Sequence, residues 1–208
     1  MEVLSHRGYW KTELEKNSLI SFNRSFEQGF GLETDLRDFQ HEIVISHNIP
    51  EPNCMLFKSF LDLYLGYKKD LPLALNIKAD GLHDQVLKLI NEFSISNYFL
   101  FDMSIPDTLG YISRKMPFFT RQSEYEREPA FLDKCEGIWL DAFESTWFTG
   151  REIKEHLNNN KKVAVVSSEL HKRDHEELWE MLRKDRLHED QRLYLCTDLP
   201  GMAKEYFK

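Results

Sequence analysis

Cysteine is scarce, with three residues, Cys54, Cys135 and Cys196, scattered through 208 positions. Their odd number and wide spacing exclude a disulfide framework and a CxxC metal or redox motif, so they are expected to be reduced and structural. Long apolar runs are missing too. Nowhere do about eighteen consecutive apolar residues occur, and the opening MEVLSHRGYW has neither a basic stretch nor an apolar core. No membrane span and no export signal are read, and the expected location is the cytoplasm. A surplus of positive charge is also lacking, since 27 Lys and Arg face 35 Asp and Glu for a net charge of −8. Binding to a nucleic-acid backbone needs a basic footprint, and short groups such as Lys161-Lys162 look like solvated turns, so nucleic acid is not an expected partner. GxGxxG, GxxxxGKS/T, GxSxG and HExxH are all absent, which removes the usual nucleotide-binding, serine-hydrolase and zincin chemistries.

What is present is an ordinary globular composition, 41% hydrophobic and 30% charged, in a length that suits one domain over residues 1–208. Short apolar runs alternate with helical spacings almost to the end, the signature of repeated βα units around a parallel sheet. The spacing predicts eight strands: Val3–Ser5, Gly31–Asp35, Pro72–Ile77, Tyr98–Asp102, Pro117–Thr120, Gly137–Asp141, Lys162–Ser167 and Arg192–Cys196. An extra short strand, Glu42–Ser46, follows the second. Helices are expected at Leu19–Gln28, Met55–Tyr67, Leu82–Phe93, Asp107–Arg114, Glu128–Lys134, Arg151–Asn158, Asp174–Lys184 and Met202–Phe207. Asp174 followed by Glu177 reads as a capping-box variant, and Val86, Leu87, Leu89, Ile90 and Phe93 recur with amphipathic spacing. The expected fold class is α/β, a single (β/α)8 TIM barrel near its lower size limit, with a doubly wound open sheet as the competing architecture.

Polar residues gather at the predicted C-terminal ends of these strands, among them His6, Arg7, Glu33, Asp35, Asn76, Lys78, Asp102, Arg121, Asp141 and Asp198. Barrel active sites are made there. Glu33 and Asp35 are the sharpest pair, because side chains two apart on a strand share a face and can close on one hard cation, Mg2+ or Ca2+, with Mn2+ as a substitute. Arg7 and Lys78 would supply positive charge for a phosphoryl group. His6 and His47 are the candidate acid and base, since imidazole titrates near neutral pH. In the polar segment TRQSEYE (Thr120–Glu126), Arg121, Ser123 and Glu124 are candidates for binding a hydroxylated leaving group, with Asp141 beside them. His171 and His175 straddle the expected cap at Asp174 and are not expected to share a helix face.

Taken together, SHRG (Ser5–Gly8), KNSLISF (Lys16–Phe22), GFGLETDLRD (Gly29–Asp38), VISHN (Val44–Asn48), NIK (Asn76–Lys78) and CTDLP (Cys196–Pro200) resemble the glycerophosphodiester phosphodiesterases in order and spacing. That family belongs with the phosphatidylinositol-phospholipase-C-like phosphodiesterases. The resemblance implies a barrel, a divalent cation and cleavage of a small phosphodiester, in which a neighbouring substrate hydroxyl attacks first where one exists. It assigns His6 and His47 as acid and base, Arg7 and Lys78 as phosphate contacts, and Glu33 and Asp35 as metal ligands. Three positions depart from the family pattern. Asn76 stands where a third acidic ligand is usual and keeps an amide oxygen, Asn48 follows the second histidine in place of aspartate, and Lys16 replaces a glutamate. The expected substrate is a glycerol or sugar phosphate ester, of the kind met in envelope or capsule metabolism. A barrel that only binds phosphorylated ligands or a protein partner, and a lyase stopping at a cyclic phosphate, are the alternatives.

Overall fold

The computed structural model describes residues 1–208. Its strands are β1 (Glu2–His6), β2 (Gly31–Phe39), β3 (Glu42–Ile45), β4 (Leu73–Ile77), β5 (Tyr98–Phe101), β6 (Phe119–Gln122), β7 (Gly137–Leu140), β8 (Lys162–Val166) and β9 (Leu193–Thr197). Eight of them run parallel in the order β5-β4-β2-β1-β9-β8-β7-β6, and β3 is an antiparallel extension of β2. A parallel bridge between Leu100 and Phe118, with the Leu100 amide donating to the Pro117 carbonyl at 3.1 Å, closes the ring between β5 and β6. The sheet is thus a barrel and not the doubly wound alternative.

Strand side chains alternate between two faces, and the alternation explains the two separate cores. Inward residues Leu4, Ala74, Phe99, Phe101, Phe119, Trp139, Ala164, Val166, Tyr194 and Cys196 fill the barrel. Phe99 stacks on Phe119 at 3.7 Å between centroids and Phe101 on Trp139 at 3.8 Å, forming an aromatic floor beneath the strand ends. Outward residues such as Leu32, Leu75, Leu100, Ile138, Val163 and Leu195 join the larger core under the helices. A parallel strand covered on both sides reads as a continuous apolar run, which is why LPLALNI and KKVAVV stand out in the sequence.

Seven helices surround the barrel: α1 (Leu19–Gln28), α2 (Phe57–Gly66), α3 (His83–Glu92), α4 (Ile105–Ser113), α5 (Gly150–Asn158), α6 (Glu176–Lys184) and α7 (Pro200–Tyr206). α1 begins with a Ser18/Ser21 capping box and ends at Gly29, whose φ of 76° closes the last turn without a Cβ penalty. α5 begins with a second capping box, Thr149 and Glu152. Two expectations need correction. The predicted helix Glu128–Lys134 is a chain of turns: Phe131 takes a left-handed φ of 57° in the middle of the stretch, leaving single-turn bonds from the Lys134 and Cys135 amides to the Phe131 carbonyl. At α6 the N-cap is His175 with no side-chain cap, while Asp174 instead accepts the Glu176 amide at 2.8 Å. All three cysteines are free, and no helix is long and apolar enough to cross a membrane.

Candidate active site

Construction of the site starts at β1. The Ser5 hydroxyl bonds outward, to Ser25 and the Gly31 carbonyl, so the neighbouring His6 points inward to the barrel mouth. Its Nδ1 lies 2.7 Å from Asp198 Oδ1 at the end of β9, and its Nε2 is 3.8 Å from Glu33 Oε2. Beyond His6 the chain turns through two left-handed residues, Arg7 at φ 55° and Gly8 at φ 89°. A Cβ at residue 8 would meet Ser21 Oγ at 2.4 Å, so the turn requires glycine. The turn brings the Arg7 amide to the Glu33 carbonyl at 3.0 Å and to Glu33 Oε2 at 3.2 Å, and it sets Arg7 Nε 3.2 Å from Asp35 Oδ2.

β2 and β4 form the opposing half of the same wall. Asp35 pairs in register with Asn76, and the Lys78 amide donates to the Leu36 carbonyl at 3.0 Å, so Glu33, Asp35, Asn76 and Lys78 all project into the mouth. Lys78 Nζ reaches Asp35 Oδ1 at 3.6 Å and Asp102 Oδ2 at 3.8 Å. Asn76 donates its amide to Asp102 Oδ2 at 3.2 Å, and Arg121 Nη1 donates to Asp102 Oδ1 at 3.2 Å. Asp102 itself has a φ of 67°, a conformation that aspartate tolerates better than most residues.

Burial dominates the electrostatics. Removal from water, followed by repulsion from Asp35, pushes Glu33 up to about 7 despite His6, Arg7 and Lys78. Burial likewise raises Asp102 against the pull of Arg121 and Lys78. Asp198 moves the other way: burial would raise it, but the hydrogen bond from His6 and the charges of His6 and Lys16 hold it below the usual carboxylate range.

Two buried oxygens on this wall accept no hydrogen bond, Asp35 Oδ1 and Asn76 Oδ1. Such groups are rare in folded proteins; Lys78 Nζ stands 3.6 Å from Asp35 Oδ1, beyond hydrogen-bond reach, so both oxygens keep capacity for a ligand. With Glu33 they make an all-oxygen donor set suited to a hard divalent cation. No group of three or more His, Cys, Asp or Glu is arranged to hold a metal ion, so the set rests on two carboxylates and one amide. This arrangement has a measurable consequence in the cation-free state. Folded Glu33 holds its proton to about 7 against an ordinary 4.5, so its contribution to stability is present below 4.5 and is lost as pH rises through about 7. Glu33→Gln has no charge to bury. At pH 8 in EDTA it is expected to melt a few degrees above the parent, at about 2–4 °C per kcal/mol for a chain of this size, with the difference fading at pH 5. Melting curves at the two pH values check this.

The predicted residues are not all gathered in one place. His6, Arg7, Glu33, Asp35, Asn76 and Lys78 meet on one wall, and Arg121 joins them through Asp102. His47 makes no hydrogen bond or ion pair with this group, but it borders the same groove as Arg7. It is exposed on the loop that β3 carries beyond the barrel rim, where its Nδ1 pairs with Asn48 Oδ1 at 3.0 Å and its carbonyl accepts from Arg37 at 3.3 Å. Glu124 is engaged with backbone, accepting the Phe143 amide at 3.0 Å and the Glu144 amide at 2.7 Å, and Ser123 is fully buried. Asp141 accepts the Ala142 amide at 2.8 Å and pairs with His171 Nε2 at 2.7 Å on the wall across from β2.

Asn17 has the most important role that the strand-end pattern missed. It donates to Asp35 Oδ2 at 2.9 Å and accepts from Thr34 Oγ1 at 2.8 Å, so it fixes the carboxylate whose other oxygen accepts no hydrogen bond. It lies in a loop before α1, with a φ of 54°, and its signal was the KNS triplet.

No family model matches the chain, and no curated protein matches it. Solved structures do. A candidate glycerophosphodiester phosphodiesterase from Galdieria sulphuraria superposes with a TM-score of 0.76 at 17% identity, covering 99% of this chain and 97% of that one. A glycerophosphodiester phosphodiesterase from Agrobacterium tumefaciens gives 0.73 at 11% identity, covering 99% and 98%. A Ca2+-dependent phosphatidylinositol-specific phospholipase C from Streptomyces antibioticus gives 0.52 at 12% identity, covering 98% and 95%. The chain shares its barrel fold with these proteins over nearly its full length.

Proposed function

We propose that the chain is a divalent-cation-dependent phosphodiesterase acting on a small soluble phosphodiester of the glycerophosphodiester kind. The observation that carries this is the pair of donor-free buried oxygens, Asp35 Oδ1 and Asn76 Oδ1, on register-paired residues beside Glu33, Arg7, Lys78 and a carboxylate-held histidine. The shared fold with phosphodiesterases supports it. A cation held by Glu33, Asp35 and Asn76 would act as a Lewis acid on a phosphate oxygen.

The remaining roles fall to the chain itself. Arg7 and Lys78 balance the charge on the other phosphate oxygens, and both are already anchored by Asp35. Asp198 holds His6 through Nδ1, which fixes the tautomer and leaves Nε2 to move a proton at a reacting oxygen. His47 borders the same groove as Arg7 and serves the second oxygen from the rim. Where the substrate has a hydroxyl next to the ester, its attack on phosphorus expels the alcohol and gives a cyclic phosphate that water then opens; otherwise water attacks directly. Phosphomonoester release from a panel of glycerophosphodiesters, with Mg2+, Ca2+ or Mn2+ and with EDTA, tests the proposal. Cation-independent release, or none, contradicts it.

Asn76 gives a sharper check. As a ligand it lends the cation a neutral oxygen, and with Glu33 and Asp35 the ligand charge is about −2 by counting carboxylates. Asn76→Glu is then expected to lower the cation concentration for half-maximal activity while keeping turnover measurable. If Asn76 touches substrate instead, the new charge repels the diester and raises KM with the cation requirement unchanged.

A further inference from the structure

Beside the catalytic wall runs a groove of about 560 Å³ that Glu33, Asp35 and Lys78 do not line. Arg7 belongs to both: its Nε faces Asp35, and its side chain also borders the groove. Further out the groove is bordered by Lys16, Asn17, His47, Asn48 and Asn53. In a protein of net charge −8 this lining is unusual, for its one carboxylate is Glu13, whose side chain is 75% exposed. Lys16 is held, not loose. Its ammonium lies 4.3 Å from the centre of the Trp10 ring and 2.9 Å from Glu13 Oε2, with the side chain 19% exposed. The Trp10 indole in turn donates to the His6 carbonyl at 3.2 Å, tying this cation to the catalytic strand. α1 adds a third positive element. Its N-terminus, Ser18 and Leu19, opens on the groove, and the Ser18 side chain accepts only one of its first-turn amides, that of Ser21.

We infer that this groove binds a second anionic group on the substrate, a phosphomonoester on the arm of the diester that leaves the metal wall toward Lys16. The inference rests on the phosphodiesterase assignment and specifies its substrate class. The exposed pairing with Glu13 is weak and readily displaced, whereas a ligand phosphate would meet Lys16, the α1 amides and the neutral amide donors together. The diester phosphate sits at the inner end, at Arg7 and Lys78, which the groove shares through Arg7, and the second anion lies further out, at Lys16 and the start of α1.

The test uses two diesters that differ only in the terminal group, glycerophosphoglycerol and the same compound carrying a terminal phosphomonoester. The parent protein is expected to favour the phosphorylated diester by at least tenfold in kcat/KM. Lys16→Met keeps the apolar stem on Trp10 and removes the charge, and it should bring that ratio close to one; Lys16→Glu should invert it. Separately, glycerol 3-phosphate is titrated calorimetrically without divalent cation, where Lys16→Met is expected to weaken binding at least tenfold. Loss of turnover on both diesters with binding still dependent on Lys16 would reject the phosphodiesterase assignment and keep the anion groove. Equal use of the two diesters by the parent, or equal binding by parent and variant, would overturn the groove.

Discussion

His6→Ala is expected to lower kcat by about 10²–10⁴-fold, the scale of general acid–base catalysis, with a smaller change in KM. The size follows from geometry. His6 is the histidine whose two nitrogens are both committed to the site, Nδ1 to Asp198 at 2.7 Å and Nε2 toward Glu33 at 3.8 Å. Asp198→Asn leaves the ring in place but removes the carboxylate that sets its tautomer. It should therefore reduce kcat and displace the pH profile without altering the cation requirement. Near-normal turnover of His6→Ala would remove the residue from the mechanism.

The second large effect is expected at Asp35. Asp35→Asn keeps shape and volume in a fully buried position, but it takes away the charge that anchors Arg7 and Lys78 and that would hold the proposed cation. Changing even groups one step removed from a metal typically lowers affinity or activity by about 10–100-fold, so a direct ligand should exceed that range. Activity should fall by more than about 100-fold, and a Mn2+ soak of crystals should lose the anomalous peak between residues 33, 35 and 76. A peak of unchanged height would place the cation elsewhere.

Much of this was legible in the sequence because strand periodicity is short and exact. Glu33 and Asp35 share a face at spacing two, as do Asn76 and Lys78, and once the strands are parallel neighbours the pairs must meet on one wall. The span of α1 and the apolar runs of β4 and β8 were readable for the same local reason, whereas the one cap read from the sequence, Asp174, is not the cap of α6. Contacts that depend on how loops fold back were not. Asn17 reaches Asp35 only through the left-handed turns at Arg7, Gly8 and Asn17, and the Asp141–His171 pair forms because a short helical turn at Ser168–His171 places the imidazole over β7. The Glu128–Lys134 stretch had helix-forming residues, yet the left-handed Phe131 breaks it in the middle. His47 shows a different limit. The strand before it was read to within one residue, but the spacing does not show that the side chain is exposed and paired with Asn48.

The most direct measurement is phosphorus NMR of a glycerophosphodiester incubated with the purified protein and Mg2+ or Ca2+, followed in time and repeated with EDTA. The diester signal is expected to give way to a phosphomonoester, passing through a cyclic phosphate where a neighbouring hydroxyl exists, and EDTA is expected to stop the change. An unchanged diester signal, a product that accumulates only as cyclic phosphate, or full turnover in EDTA would contradict that expectation.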